Sequence, residues 1–319
     1  MTKPPKNRLA KINSLMDFSR RVGLSEQMFT GTYTALVTPF KDGKVDEPAF
    51  ERLVKTQIKG GVDGIVPVGT TGESPTLSFE EHIYVIEKSV EFAAGKIKVL
   101  AGTGGNSTDE AIYLTIAAER AGADGSLQVA PYYNRPTQEG LFQHFRAIAY
   151  ATKLPLVLYS VPGRCGVEIG VETVQRLARE CKNIVGIKEA GGNADRVSQL
   201  RAGLGPKFTI LSGDDSLTLP FMAAGAEGVV SVASNVIPRE VAHMVQAFAA
   251  GKPAAALRLH DKYYPVFKHL FIETNPVPIK AALAMLGQIE EEYRLPLVPM
   301  NPRNREILRA TLRACGVLK

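Results

Sequence analysis

From residue 31 onward the chain repeats one pattern: a short run of β-branched apolar residues, a turn rich in Gly and Thr, then a stretch with apolar positions at helical spacing. The runs fall at 33–37, 64–68, 99–101, 126–130, 156–160, 184–188, 208–212 and 228–232. Unbroken apolar runs of this length suit strands buried on both faces, as in a parallel sheet. Pro67 sits poorly in a central strand and puts the end of the second run in question. The first helix is entered through Asp46 and Pro48, with Phe50, Leu53, Val54 and Ile58 on one face. Ser78 with Glu81, and Ser107 with Glu110, have the spacing of capping boxes. The second of these helices runs to Ala121, and others are predicted to end near 152 and to cover 171–181, 195–204, 217–224 and 238–250.

Eight alternations with no spare strand predict an α/β fold, a closed (β/α)8 TIM barrel over 28–250, with an open doubly wound sheet as the alternative. Beyond Gly251 the pattern is purely helical, near 254–270, 278–286 and 303–314. Residues 251–319 therefore read as a C-terminal helical annex that covers part of the barrel or contacts another subunit. Residues 1–27, with Pro4 and Pro5 among mixed polar residues, read either as a loosely held extension or as a short helix packed on the outside.

Composition narrows the class. Of 319 residues 45% are hydrophobic and 22% charged, as in ordinary soluble globular proteins. No stretch approaches the roughly 18 uninterrupted apolar residues of a membrane span. The net charge is +6, but residues 1–27 hold six basic against two acidic residues, so +4 of it lies there and the rest is nearly neutral. That distribution gives nucleic-acid binding little support. Cys165, Cys181 and Cys315 are odd in number and scattered, which suits a reducing compartment, the cytoplasm, rather than a disulfide framework or a zinc site. The first 27 residues lack the apolar core of a signal peptide, and their acidic residues argue against a transit peptide.

Candidate chemistry follows from the barrel. Residues at the C-terminal ends of barrel strands converge on one face, where such proteins place their sites. Lys188 closes the run 184–188. An amine there, at the rim of a core, is disfavoured in its charged form and keeps a lone pair for attack on a carbonyl. The plain alternative is a strand-end lysine solvated or paired with Glu189. What favours chemistry is the rest of the rim: Tyr159, Thr70 and Thr71, Tyr132 and Tyr133, Arg164 and Gly213. This set offers a nucleophile, phenols and hydroxyls for proton transfer, and an arginine for a carboxylate. Lys98 precedes its strand and falls on the opposite face. The sequence AGTGGNS at 101–107 is an incomplete dinucleotide fingerprint, and the five histidines form no ligand pair, so no metal is expected.

GTTGES at 69–74, YYNRP at 132–136, YSVPGR at 159–164, GIKEA at 186–190 and SGDD at 212–215 together resemble the dihydrodipicolinate synthase family of the class I pyruvate-aldolase superfamily. The resemblance covers residues 28 to about 300. It implies that Lys188 forms an imine with the keto group of pyruvate and that Tyr159 relays protons. Thr70 and Tyr133 would complete a hydroxyl relay, with Tyr133 reaching into a neighbouring subunit. Thr71 would seat the pyruvate carboxylate, Arg164 would receive that of aspartate semialdehyde, and Gly213 and Val230 would line the pocket. No cofactor is implied, and the assembly would be a homodimer or a dimer of dimers, that is, a homotetramer. Ser74, His82, Asn106, Glu110 and Tyr132 match positions that bind feedback-inhibitory lysine in some members, although Phe79 departs from that pattern and Glu110 also suits a helix cap. Ser160 and Cys165 depart from the family wording and are expected beside the site. The YSVP wording keeps other pyruvate aldolases open, the 4-hydroxy-2-oxoglutarate aldolase and N-acetylneuraminate lyase types. A barrel that binds a ketoacid without turnover is the reading from another class.

Overall fold

The computed structural model describes residues 28–319, so the reading of residues 1–27 lies outside the described residues. Among the described residues eight parallel strands close into a barrel: β1 (Gly31–Ala35), β4 (Gly64–Val66), β5 (Lys98–Gly102), β6 (Gly125–Val129), β7 (Leu156–Ser160), β8 (Ile184–Glu189), β9 (Thr209–Ser212) and β10 (Gly228–Ser231). Each is hydrogen-bonded to its neighbours in chain order, and β10 pairs with β1 to close the ring. The open sheet is thereby excluded. Strands β2 (Phe40–Lys41) and β3 (Lys44–Val45) form a small hairpin outside the barrel that the pattern did not announce, because two-residue strands carry no periodicity.

The helices form where the sequence placed them. Helix α1 (Glu47–Gly60) is capped by Asp46, whose side chain accepts the Ala49 N–H, and buries Phe50, Leu53 and Val54. Helix α2 (Phe79–Ala93) begins with both halves of the Ser78–Glu81 capping box. At α3 (Thr108–Ala121) only the Ser107 half is made, at 3.5 Å, which leaves the Glu110 carboxylate free to face outward. Helices α4 (Gln138–Ala151), α6 (Val171–Glu180), α7 (Ala194–Leu204), α8 (Thr218–Ala223) and α9 (Pro238–Ala249) complete the outer layer. A one-turn helix, α5 (Pro162–Cys165), follows β7, and the pattern did not announce it.

Strand β4 stops at Val66, before Pro67, which has no N–H to give to the ladder. The Pro67 carbonyl still accepts the Gly102 N–H at 3.0 Å, so pairing continues from the acceptor side. The annex comprises α10 (Pro253–His269), α11 (Val277–Met285) and α12 (Pro302–Ala314). It packs on the barrel rather than standing apart: Ile279, Ala281, Ala282 and Leu283 are fully buried in the same apolar core as the strands. No helix among the described residues is long and apolar enough to cross a membrane.

Candidate active site

Lys188 is the penultimate residue of β8 and is 7% exposed. In register, Tyr159 of β7 lies beside it on one side and Leu211 of β9 on the other. Because alternate residues of a strand face opposite ways, Lys188 points into the barrel and Glu189 into the helical layer. Glu189 accordingly takes Arg196 as its partner, with Nε to Oε2 at 2.8 Å, and also accepts the Gly191 N–H. The alternative of a lysine paired with Glu189 is thus ruled out.

The Lys188 amine sits 3.9 Å from the centre of the Tyr159 ring. Burial, reinforced by the positive charge of Arg164 and opposed by Asp215, brings its pKa down to about 7. The shift favours the uncharged amine, the form able to attack a carbonyl. Burial holds the Tyr159 phenol up at about 12, with Arg164 and a hydrogen bond to Thr70 pulling the other way. The phenol stays protonated and able to donate. Gly213 brings the chain close to this amine: a Cβ there would lie 2.6 Å from Ala190 Cβ and 3.1 Å from Lys188 Cε.

The threonines are carried on the 68–76 loop, whose backbone is held in sparsely populated conformations. Val68 and Glu73 both have positive φ, 49° and 55°, at a cost of order 1–3 kcal/mol each. Several contacts offset that cost. The Thr38 hydroxyl donates to Gly72 O at 2.7 Å. The Glu73 carboxylate is fully buried and forms an ion pair with Lys280 of α11, itself fully buried against the Phe40 ring. Arg294 adds a backbone N–H to Glu73 Oε2 at 3.3 Å, and its guanidinium spans Glu81, Thr76 O and Gly43 O. The annex therefore anchors the loop that presents Thr70 and Thr71.

One cavity gathers Thr70, Thr71, Tyr159, Arg164, Lys188 and Gly213. Arg164, exposed at the mouth on α5, completes its rim. Two predicted members are elsewhere. Val230 does not line the cavity: it lies one layer deeper in β10, and Val232, two residues on and on the same face, lines it instead. Tyr133 is 92% exposed with φ 72° and does not reach the cavity of its own chain. Cys165 stands beside the Lys188 cavity, as expected, in the wall of an adjoining cavity that shares Thr70, Tyr159 and Arg164 with it, and burial holds its thiol up at about 11. Ser160 is fully buried away from it, accepting the Ile169 N–H at 3.3 Å.

The sequence reading missed three contributors. Asp215 is buried where it accepts the Ser231 hydroxyl and the Val232 and Ala233 N–H groups, and burial pushes it up to about 6. Asn275 and Phe271 enter the wall from the segment joining α10 to α11. The DD of SGDD was a visible signal for Asp215, whereas nothing in the helical annex announced the other two.

Ser74, Pro75, Gly104 and Tyr132 line that adjoining cavity and also border a further one, completed by Phe79, His82 and Glu110. Asn106 is not in its wall but adjoins it, donating to Tyr132 O at 3.2 Å. His82 Nε2 bonds Gly102 O at 2.8 Å, and burial lowers its pKa. Among the described residues no three His, Cys, Asp or Glu side chains gather as metal donors.

The profile of the dihydrodipicolinate synthetase family matches residues 28–315. A protein of Persephonella marina named 4-hydroxy-tetrahydrodipicolinate synthase is 52% identical over 293 residues, which is 92% of this chain and 100% of that one. The solved 4-hydroxy-tetrahydrodipicolinate synthase of the thermoacidophilic methanotroph Methylacidiphilum fumariolicum SolV is 58% identical, with a TM-score of 0.90 over 90% of this chain and 96% of that one. The chloride-inhibited dihydrodipicolinate synthase of Acinetobacter baumannii, solved with pyruvate, is 46% identical, with a TM-score of 0.88 over 91% of this chain and 99% of that one.

Proposed function

The chain belongs to the dihydrodipicolinate synthetase family, and from that membership we propose that it condenses pyruvate with L-aspartate 4-semialdehyde to 4-hydroxy-tetrahydrodipicolinate through an imine on Lys188. The observation that carries the residue assignment is the buried Lys188 amine, at a pKa of about 7, against Tyr159 in a cavity rimmed by hydroxyls.

The uncharged amine adds to the keto carbon of pyruvate, and loss of water gives the imine. Tyr159, bonded to Thr70, passes the protons that this addition and dehydration move. Thr71 seats the pyruvate carboxylate. The imine draws electrons from the adjacent methyl group, so a proton leaves and the enamine carbon attacks the aldehyde of the second substrate, whose carboxylate Arg164 receives. The semialdehyde's own amine then displaces Lys188 and closes the ring. The imine is the electron sink, so this route calls for no metal or organic cofactor.

Tyr133, facing away from its own cavity, suits the end of the relay in a neighbouring subunit of a homodimer or a homotetrameric dimer of dimers. The further cavity suits free L-lysine, with Glu110 toward the amine and Asn106 toward the carboxylate. Three buried free cysteines are in keeping with a reducing cytoplasm. The names carried by the relatives favour this acceptor over those of the other pyruvate aldolases.

Borohydride added with [14C]pyruvate is expected to label Lys188 irreversibly. Absence of label, or label on another lysine, rejects the assignment. A panel of semialdehyde, glyoxylate, N-acetylmannosamine and sugar aldehydes then tests the acceptor, and the same assay with added L-lysine tests regulation. Turnover with a different acceptor, or none, overturns the substrate reading.

A further inference from the structure

Two polar side chains of the cavity wall have no task in the proposed mechanism, Asp214 and Asn275, and Asp214 is taken up by the N–H and hydroxyl of Ser216. Asn275 is 4% exposed and lines the cavity together with Lys188 and Gly213. Its Nδ2 donates to Thr71 Oγ1 at 3.0 Å, and its backbone carbonyl accepts from Arg164 Nη2 at 3.1 Å. The other end of the amide, Oδ1, is buried and has no hydrogen-bond partner among the described residues.

Resting on the reading that Thr71 seats the pyruvate carboxylate, we propose that Asn275 sets the polarity of the Thr71 hydroxyl. A hydroxyl offers one proton and two lone pairs. With a lone pair engaged by the Asn275 N–H, the Thr71 proton is left to point at a carboxylate in the cavity. An acceptor at position 275 would draw that proton to itself and turn the oxygen's lone pairs toward the substrate. Asn275 is thus a positioning residue that acts through Thr71. Its carbonyl holds Arg164 as well, so one residue spaces both carboxylate seats.

The test compares N275D and N275A in the full-length protein, with pyruvate and semialdehyde varied separately and a melting curve for each variant. N275D, nearly isosteric with the native side chain, is expected to raise the KM for pyruvate about tenfold above that of N275A, the scale of a reversed charge-assisted hydrogen bond. A packing role gives the opposite order, with alanine worse because it leaves a hole, and that order overturns the inference. The KM for semialdehyde is expected to stay within about threefold in both variants, because each keeps the backbone carbonyl on Arg164. In a T71V background the gap between N275D and N275A is expected to close. A gap that persists means that the aspartate charge acts directly, and it sinks the proposal. Where N275D does not fold, the T71V/N275A pair decides: coupled effects support the inference and multiplicative effects reject it. If wild-type Lys188 captures no pyruvate, or T71V leaves the pyruvate KM unchanged, the underlying reading fails. If both hold and only the order of the variants is reversed, this inference alone fails.

Discussion

At the scale of single residues, the proposed chemistry turns on how one amine is held without its proton. The Lys188 pKa in the fold, about 7, lies below the ordinary 10.5, and the uncharged fraction rises as pH passes through that value. The rate of imine formation with pyruvate, followed by borohydride trapping, is therefore expected to climb through about pH 7 and level off above it. The charged groups that bear on the amine, after burial itself, are Arg164, which lowers its pKa, and Asp215, which raises it. Arg164→Ala is expected to move the midpoint upward and Asp215→Asn to move it downward. A midpoint that stays fixed in both variants would show that burial alone sets the pKa. The same depression runs against stability: between about pH 7 and 10.5 the unfolded chain binds the proton that the fold rejects, so this group's penalty is greatest below pH 7 and fades as pH rises.

At the scale of elements, the loop 68–76 is held from outside the barrel, and its anchor can be tested by stability. Lys280→Met leaves the Glu73 carboxylate buried without its partner, and a loss of about 3–5 kcal/mol is expected in denaturant unfolding. Glu73→Gln/Lys280→Met removes both charges and is expected to recover much of that loss. If the double variant is no better than the single, the pair does not act as a unit. Most strands and helices were legible within two residues, because continuous apolar runs and capping residues such as Asp46 and Ser78 have local causes. The departures have local causes too. Pro67 cut β4 short, and a single turn of helix at 162–165 or a hairpin of two-residue strands is too brief for any period to register. Within the site, Lys188 and Tyr159 were legible because each lies next to the last residue of its strand. Depth within the barrel was not, and so Val230 was expected where Val232 stands. Asn275 escaped notice because its place in the cavity wall depends on the annex folding back over the rim, which no spacing along the chain records.

At the scale of the whole molecule, two features of the site refer beyond the single barrel. The first is Tyr133, turned outward on a left-handed backbone. If it completes the relay of a neighbour, mixing two inactive variants, Lys188→Ala and Tyr133→Phe, and allowing subunits to exchange is expected to restore partial activity. One subunit would then supply the amine and the other the phenol. Recovery absent despite demonstrated exchange would return Tyr133 to a purely local role. The second is the wall that Phe271 and Asn275 add, and the grip of Lys280 on Glu73, all from residues that follow the last barrel strand. These residues are the last to leave the ribosome, so a chain stopped at residue 250 lacks Phe271, Asn275 and the Lys280 partner of Glu73. Under the proposed mechanism, catalytic competence is therefore expected only once the annex has been made, and a product truncated after residue 250 is expected to capture no pyruvate.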